Sequence, residues 1–352
     1  SGTGSVELEF SRSPLAEIGG SVDYLLSYPH GCVEQTTSSL MPWFAVDSLR
    51  SIVPGFAKIP EAKTKSGIQH GANRLLSMQL SDGSFTYWPG STERVNWASA
   101  YAGLGLMLAK QNGANVPDAS IELLCKHLIE SLRGTTDLKS SYDLEIHARA
   151  LWILALAGQP QPAYQNVLLD RVADLSPNTR AFLALALNQS GDPATARNLL
   201  TSKVAFKLKD DGWMRWDADE SFKLLAWGTI APDAKETTTA LDRLLHDRNP
   251  YGHWRTTWVN GWSLLAMATY AKNEKALPDE WTAQFDPPLA TGTITLTKEN
   301  PTATASAKLG PDLNLNLNPK GTAYVRIRVA AKPKIEPIQP VATNGLSVDR
   351  IY

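Results

Sequence analysis

The chain opens with a short alternation of apolar and polar residues and then changes to patterns typical of helices. Residues 5–10 read Ser-Val-Glu-Leu-Glu-Phe, which is typical of a strand with one buried face. From residue 14 onward, apolar positions recur at helical spacing, and prolines and glycines separate the runs. The predicted helices are 14–26, 33–52, 62–79, 96–112, 118–133, 143–157, 163–174, 178–190, 193–203, 218–229, 235–247 and 257–273.

These predicted helices are of two kinds. Residues 148–157 and 181–187 are apolar on almost every side, whereas 193–203 and 235–247 keep a polar face. A helix that is apolar all round is buried, and one with a polar face meets solvent. The fold class is therefore predicted as mainly α, an α/α toroid of six helical hairpins with inner and outer helices alternating. Terpenoid cyclases and some glycosidases share this shape, so the shape alone does not define a function.

Alternation with period two returns after Pro287-Pro288. Short alternating runs separated by turn residues are typical of an all-β segment. The runs cover residues 293–297, 303–309, 313–317 and 323–329. Together with 5–10 they predict one β domain into which the helical domain is inserted. The predicted boundaries are 1–12 for the first strand of the β domain, 13–286 for the helical domain, 287–332 for the rest of the β domain, and 333–352 for a linker and the start of a following β domain.

Composition narrows the choice of partners. The 352 residues carry a formal net charge of −1, which gives no electrostatic reason to expect nucleic acid or a membrane surface as a partner. The sequence has no signal peptide and no run of about 18 apolar residues. Because it starts and ends abruptly, we expect an excised part of a longer protein.

The candidate chemistry lies just before and within the predicted helix at 33–52. Cys32 and Gln35 are three residues apart, so both side chains reach the same face of one helical turn. A Cys sulfur there can attack the Gln side-chain carbonyl and expel ammonia, which forms an internal thioester. Thiolate is a good leaving group, and a helix start favours negative charge. The product would be a stored acyl donor for a Lys amine or a hydroxyl.

The surrounding residues resemble those of a known family. Gly31-Cys32-x-Glu34-Gln35 is similar to the thioester motif of the α2-macroglobulin and complement family. The preceding Tyr28-Pro29 and the following Thr36 resemble the bacterial α2-macroglobulins in particular. The resemblance implies a thioester domain paired with a CUB-like β-sandwich domain, followed by a macroglobulin-like domain.

The resemblance also implies a function. The parent protein would be a broad protease inhibitor that covalently traps attacking proteases when the thioester acylates their Lys amines. Its partners would be these proteases and the other domains of its own chain, with no nucleic acid. It would be periplasmic, lipid-anchored and protective of the cell envelope. Acyl transfer of this kind occurs once per molecule, so we do not expect an enzyme, and we expect no cofactor beyond the cross-link.

Four further residues are candidates for supporting roles. Tyr28 is predicted to shield the bond, although packing at a helix end is the alternative. Glu34 belongs to the family motif and can orient Gln35, or it can be a carboxylate favoured by the helix dipole. Some complement thioester domains use a downstream His that takes over the acyl group, and His147 lies at a comparable distance. A structural His at a helix start is the alternative for His147, and His30 is a weaker candidate base.

Other interpretations remain open. Cys125, the second of two cysteines, fits a buried apolar position, and a disulfide with Cys32 would exclude the thioester. A Cys-dependent acyltransferase could combine Cys32 with His147. A glycoside hydrolase or polysaccharide lyase on the same toroid would need paired carboxylates. The carboxylates available for such a pair are Asp82, Asp210, Asp211 and Glu220.

Three segments share a polar turn followed by aromatic residues. They either form a carbohydrate-binding platform or plug one end of the toroid, and the second interpretation is favoured. The segments are 79–88, 210–216 and 250–254. The histidines show no metal-ligand spacing, so no metal is predicted.

Overall fold

The computed structural model describes residues 4–50, 52–53, 56, 58–208, 218–273, 280–286, 292–297, 299–309, 316–320 and 323–331. Two units divide the chain. One consists of Leu15–Ala276, and the other combines Ser1–Pro14 with Leu277–Tyr352. The first unit is helical and the second contains the strands, so the helical unit is inserted into the β unit along the sequence.

The helices occur close to the positions predicted from the sequence. They are α1 (Gly19–Ser27), α2 (Val33–Leu49), α3 (Glu61–Leu76), α4 (Asn96–Gln111), α5 (Asp118–Ser131), α6 (Ser141–Leu156), α7 (Pro162–Leu169), α8 (Pro177–Gln189), α9 (Pro193–Leu200), α10 (Asp219–Ile230), α11 (Lys235–His246) and α12 (Thr257–Asn273). Short 3-10 helices cover Pro14–Ile18, Thr135–Asp137 and Val172–Asp174. None of the helices in the described ranges combines the length and apolar character needed to cross a bilayer.

Local sequence signals explain several helix starts. Ser140, Ser176 and Asp192 each accept a hydrogen bond from a backbone N–H of the following first turn. Such side-chain caps satisfy donors that the helix itself leaves unpaired. Proline occupies the first position of α8 and of α9, where its missing N–H costs nothing.

Six helices form a closed ring within the helical unit. Helices α2, α4, α6, α8, α10 and α12 each contact the next, and α12 packs extensively against α2. The intervening helices each contact one or two of these from outside. Inner helices are buried on most sides, as in α12, where residues 257–264 are all buried. The first inner helix, α2, therefore packs against the last inner helix, α12. This contact fixes the start of α2.

The interior of the ring is lined by aromatic residues that surround the buried guanidinium of Arg149. Tyr101 and Trp262 are stacked with centroids 4.9 Å apart. Arg149 lies over the Phe182 ring at 4.8 Å and pairs with Glu145 at 2.5 Å. The pair compensates a charge that would otherwise be costly to bury.

The β unit contains two three-stranded antiparallel sheets. The strands are β1 (Gly4–Ser11), β2 (Glu280–Asp286), β3 (Ile294–Thr297), β4 (Thr302–Leu309), β5 (Asn316–Lys320) and β6 (Tyr324–Ala331). The strand orders are β4-β1-β6 and β3-β2-β5. Val6, Leu8 and Phe10 of β1 share a core with Trp281 and Phe285 of β2. Both sheets thus contribute alternate residues to one hydrophobic core, as strand periodicity requires.

The structure differs from the sequence-based boundaries at three places. The predicted helical domain 13–286 included residues 280–286, but these form β2 and pair with β3 and β5. The predicted helix 163–174 is interrupted, because α7 ends at Leu169 and a 3-10 turn follows. The described strand β5 extends to residue 320, beyond the predicted 313–317, and residues 313–315 of that prediction lie outside the described residues. The predicted linker and following domain at 333–352 lie outside the described residues.

Candidate functional site

Cys32 and Gln35 meet at the start of α2. Cys32 is the N-cap residue, is only 2% exposed and has an extended backbone. Its N–H donates to Gln35 Oε1 at 3.2 Å, and its sulfur accepts the backbone N–H of Gln35. This is a capping box in which Cys and Gln take the places usually held by Ser or Thr and Glu. The predicted pair is therefore in mutual contact across one turn.

The surroundings of the Cys32 sulfur act on its pKa in opposite directions. Burial is the largest effect and raises the pKa of the thiol, and the nearby charge of Glu34 raises it further. Hydrogen bonds from the backbone N–H groups of Gln35 and Glu34 and from the Tyr87 hydroxyl lower it. The net pKa is raised, so the sulfur is kept mainly as a thiol while donors for a thiolate are already in place.

Glu34 points away from solvent into the ring. Its Oε1 accepts the Ser38 hydroxyl at 2.6 Å, and its Oε2 accepts the Thr257 hydroxyl at 2.7 Å. Ser38 Oγ lies 3.0 Å from the hydroxyl of Tyr101, which is fully buried. Burial raises the pKa of Glu34, and these two hydrogen bonds offset part of the shift. Glu34 thus joins α2 to α12 and, through Ser38, to α4.

Tyr87, in the loop between α3 and α4, lies beside Cys32. Its backbone carbonyl accepts the Val33 N–H at 3.0 Å, and its hydroxyl hydrogen-bonds the Cys32 sulfur. In the sequence, Tyr87 belongs only to the aromatic segment 79–88 and has no evident connection with Cys32. No local sequence signal could do so, because the contact depends on how α3 and α4 pack beside α2.

The loop that carries Tyr87 is fixed by buried contacts. Phe85 is fully buried, and Asp82 accepts both the N–H and the hydroxyl of Ser84 and pairs with Arg94. These contacts agree with the plug interpretation of residues 79–88. Within 250–254, Trp254 is buried and donates to a backbone carbonyl of α11, whereas Tyr251 is 81% exposed. The segment 210–216, with Asp210 and Asp211, lies outside the described residues.

Tyr28, the predicted shield, lies four residues before Cys32 and is half-buried. Its ring packs edge-on against Tyr24 at 5.5 Å and against the exposed His30 at 5.8 Å. Tyr24 in turn stacks on His253 at 4.4 Å. Tyr28 therefore lies within a row of rings that ends at His30, two residues before Cys32.

A cavity of about 680 Å³ opens beside this segment. It is bounded by Tyr28, Gly31, Trp43 and His70, among others. Arg74 also lines it and donates from Nε and Nη2 to the Gly31 carbonyl at 3.3 and 3.0 Å. The guanidinium thus holds the residue that precedes Cys32 against α3.

His147 lies on α6, and α4 separates that helix from α2 in the ring. The His147 Nδ1 is 2.9 Å from the Thr135 hydroxyl, and burial lowers the pKa of its imidazole. This contact partner belongs to the 3-10 turn before α6, which fits the structural alternative for His147. The transferase hypothesis needs His147 beside Cys32, and the contact that the structure gives it is with Thr135.

The other candidate groups are engaged elsewhere. Glu220 on α10 pairs with Lys223 at 2.7 Å. Cys125 is buried in α5, and no disulfide joins it to Cys32. Within the described ranges, no three His, Cys, Asp or Glu side chains come close enough to hold a metal ion.

Comparison with known proteins gives matches to one group of proteins. A family model described as the A-macroglobulin TED domain matches residues 5–143. An alpha-2-macroglobulin of Escherichia coli (strain K12) is 26% identical over 295 residues, covering 79% of this chain and 17% of the relative. An alpha-2-macroglobulin of Xylella fastidiosa is 30% identical over 200 residues, covering 53% and 12%. These matches support a fragment of a bacterial alpha-2-macroglobulin that includes the TED region. The chain spans about a sixth of the length of the E. coli relative.

Solved structures share the fold of this TED region. A crystal structure of native E. coli alpha-2-macroglobulin from domain MG7 to the C-terminus superposes with a TM-score of 0.67 at 22% identity, over 97% of this chain and 54% of that one. Salmonella alpha-2-macroglobulin reacted with methylamine gives 0.69 at 22% identity, over 96% and 22%. E. coli alpha-2-macroglobulin activated by porcine elastase gives 0.61 at 21% identity, over 96% and 31%.

Proposed function

We propose that Cys32 and Gln35 form an internal thioester with which the parent protein traps proteases covalently. The observation that carries the proposal is the capping box, in which each of the two side chains accepts the backbone N–H of the other residue. The sulfur and the carboxamide are thereby held at the same helical turn and need little movement to react. The burial of Cys32 also limits access of water to the bond.

The cross-link forms by a balanced exchange. The Cys32 sulfur attacks the Gln35 side-chain carbonyl carbon, the C–N bond breaks, and the amide nitrogen leaves as ammonia with the thiol proton. The N–H groups at the start of α2 favour negative charge at the attacking sulfur. The stored bond later acylates an amine, with Cys32 leaving as the thiol.

The acceptor that we propose is a Lys amine of an attacking protease. The relatives support this choice, since one is described as reacted with methylamine and another as activated by porcine elastase. Because the chain spans 17% of its E. coli relative, trapping belongs to the longer protein. The reaction consumes the thioester once, so the protein acts as an inhibitor and not as an enzyme.

The setting of the trap is part of the proposal. The closed ring of inner helices with its outer layer supports an α/α toroid of six hairpins. The two sheets with their shared core support a CUB-like sandwich, into which the toroid is inserted along the sequence. We further propose that the parent protein is periplasmic, lipid-anchored and protective of the cell envelope. Within the site, Tyr28 shields the bond, and the cross-link needs no cofactor.

Intact-mass measurement of the freshly purified chain tests the thioester. We expect a mass about 17 Da below the sequence mass, because one ammonia has been expelled. Methylamine should then add its own mass at Gln35 and release a titratable thiol at Cys32.

The two cysteines provide a matched pair of controls. Cys32→Ala should abolish both the mass deficit and the methylamine adduct, whereas Cys125→Ala, at the other buried cysteine, should keep both. A full sequence mass in fresh protein, with Cys32 open to alkylation, would refute the proposed function.

A further inference from the structure

Tyr87 has no role in forming the proposed thioester, although its hydroxyl is a hydrogen-bond partner of the Cys32 sulfur. Backbone contacts on both sides fix this residue. Its carbonyl accepts the Val33 N–H at 3.0 Å, and the preceding Thr86 donates its N–H to Met78 O at 2.9 Å. The Thr86 hydroxyl also donates to Trp88 O at 2.8 Å. The position of the phenol is thus set by the same strand-like loop that caps α2.

Neighbouring rings restrict the orientation of the phenol. Tyr87 packs edge-on against Trp97, with centroids 6.4 Å apart, and its ring lies 6.2 Å from Trp88. Trp97 packs against Trp258 in the ring interior at 5.9 Å. Tyr87 is 39% exposed, so it is the outer member of a row of rings that is anchored in the core.

We propose, on the basis of the thioester assigned above, that Tyr87 is the hydrogen-bond donor that receives the Cys32 sulfur when the acyl group leaves. An incoming amine adds to the Gln35 acyl carbon, and the C–S bond then breaks with its electron pair going to sulfur. Tyr87 donates its O–H to that thiolate and keeps its proton. The amine loses one proton to the sulfur, so the products are an amide and a thiol.

A side-chain donor is needed because the other surroundings of Cys32 oppose a thiolate. Burial and the charge of Glu34 both raise the pKa of the thiol. Besides Tyr87, the backbone N–H groups of Gln35 and Glu34 favour the charged sulfur. The pKa of the Tyr87 hydroxyl is raised, chiefly by burial and then by the charges of Cys32 and Glu34, so the phenol remains protonated as a donor.

The test removes one oxygen atom and leaves the ring. Tyr87→Phe is compared with the unmodified chain and with Tyr164→Phe, a hydroxyl deletion on α7, an outer helix that contacts α6 and α8. All three chains, including the one that keeps both tyrosines, also carry Cys125→Ala, so that Cys32 is the single cysteine. Each is measured for intact mass, for the rate of thiol release by methylamine, and, after opening, for Cys32 alkylation across a pH series.

We expect Tyr87→Phe to slow thiol release about three- to ten-fold, the range for a partly exposed hydrogen bond to a charged group. Its alkylation profile should move to higher pH, because the thiolate has lost a donor, while Tyr164→Phe should match the unmodified chain. A ring that served only as packing would leave the pH profile unchanged.

The outcomes separate this inference from the proposed function. If the unmodified chain shows no mass deficit of about 17 Da, the thioester is refuted and this inference falls with it. If the Tyr87→Phe chain and the chain that keeps Tyr87 both show the deficit and share the same release rate and pH profile, the role of Tyr87 is refuted while the trap stands. Faster release in Tyr87→Phe would also overturn the inference, since the hydroxyl would then be retarding the reaction.

Discussion

Glu34 shows how a single residue of the motif couples reactivity to folding. Its carboxylate is 6% exposed and accepts hydroxyl hydrogen bonds from Ser38 and Thr257, on two different inner helices. The side chain therefore fixes the first turn of α2 within the ring. It also places a negative charge near the Cys32 sulfur, which raises the pKa of the thiol.

This burial makes stability depend on pH in a definite direction. The pKa of Glu34 is raised by desolvation, so its contribution to stability is complete below the pKa of the unfolded chain and is lost as pH rises through the folded pKa. Glu34→Gln should lack that loss. We expect the free energy of unfolding of Glu34→Gln, relative to the unmodified chain, to increase from about pH 4 to neutral pH in urea titrations.

Glu61 in the first turn of α3 provides a control of opposite sign. Its hydrogen bond and ion pair with Lys65 lower the pKa of its carboxyl. Glu61→Gln should therefore fall in relative stability over the same pH range, and only slightly, because both partners are exposed. A constant difference between Glu34→Gln and the unmodified chain across the range would contradict the interpretation of Glu34.

The sequence predicted the proximity of Cys32 and Gln35 but not the surroundings of this pair. Cys32 and Gln35 are close in the chain, and helical geometry alone brings them together. Thr257, which binds Glu34, and Tyr87 at the sulfur come from a helix and a loop remote in sequence. The Thr257 contact depends on ring closure between α12 and α2, and the Tyr87 contact depends on packing of α3 and α4 beside α2.

At the scale of elements, close approach of α2 and α3 supports the segment before Cys32. A methyl group added at Gly71 would overlap the side chain of Leu40 on α2, which is almost fully buried. The same helix carries Arg74, which binds the Gly31 carbonyl. The glycine thus permits the spacing at which Arg74 reaches this segment.

Gly71→Ala should destabilise the helical unit although alanine favours helices. Overpacking costs about 1–3 kcal/mol and the gain in helix propensity is about 1 kcal/mol, so we expect a net loss of about 1 kcal/mol. Gly228→Ala in α10 is the matched control, because nothing lies within 4 Å of the added methyl group. It should gain about 0.5–1 kcal/mol. Urea unfolding compares the two, and equal effects would show that α2 and α3 are not closely packed at Gly71.

The helix bounds were predictable because proline and glycine mark them. Pro177 and Pro193 begin α8 and α9, and Gly113 and Gly191 follow helices in a left-handed conformation. Strand β2 was misassigned because Pro287-Pro288 was taken as the domain boundary. In fact Trp281, Ala283 and Phe285 already alternate toward the β core before those prolines.

At the scale of the molecule, the helical unit is a continuous stretch while the β unit is split along the chain. Residues 15–276 form one unit, and α1 contacts both α2 and α12, so both ends of this stretch lie in neighbouring helices. In contrast, β1 is the middle strand of its sheet, between β4 and β6. The helical unit can therefore be separated without cutting a sheet.

A chain of residues 15–273 should fold alone and keep the mass deficit expected for the whole chain. Its core is nearly complete within that range, since the ring closes through α12 and α2. Far-ultraviolet circular dichroism and intact mass provide the measurements. Deletion of residues 4–11 from the full chain should instead leave the helical signal and expose Trp281 of the β core to solvent quenchers. Loss of helix in the 15–273 chain would show that the units do not fold separately.

The central position of β1 also has a consequence for the order of events at the ribosome. Phe10 pairs with Ala303 on one side and with Val325 on the other, so the first strand to emerge must wait for nearly the last. Until then its backbone edges have no native strand partner, and closing so long a loop is entropically unfavourable. The intervening helices, whose contacts are mostly between sequence neighbours, can fold during that delay. Nascent chains stalled before residue 302 should thus contain structured helices and an unpaired amino-terminal strand.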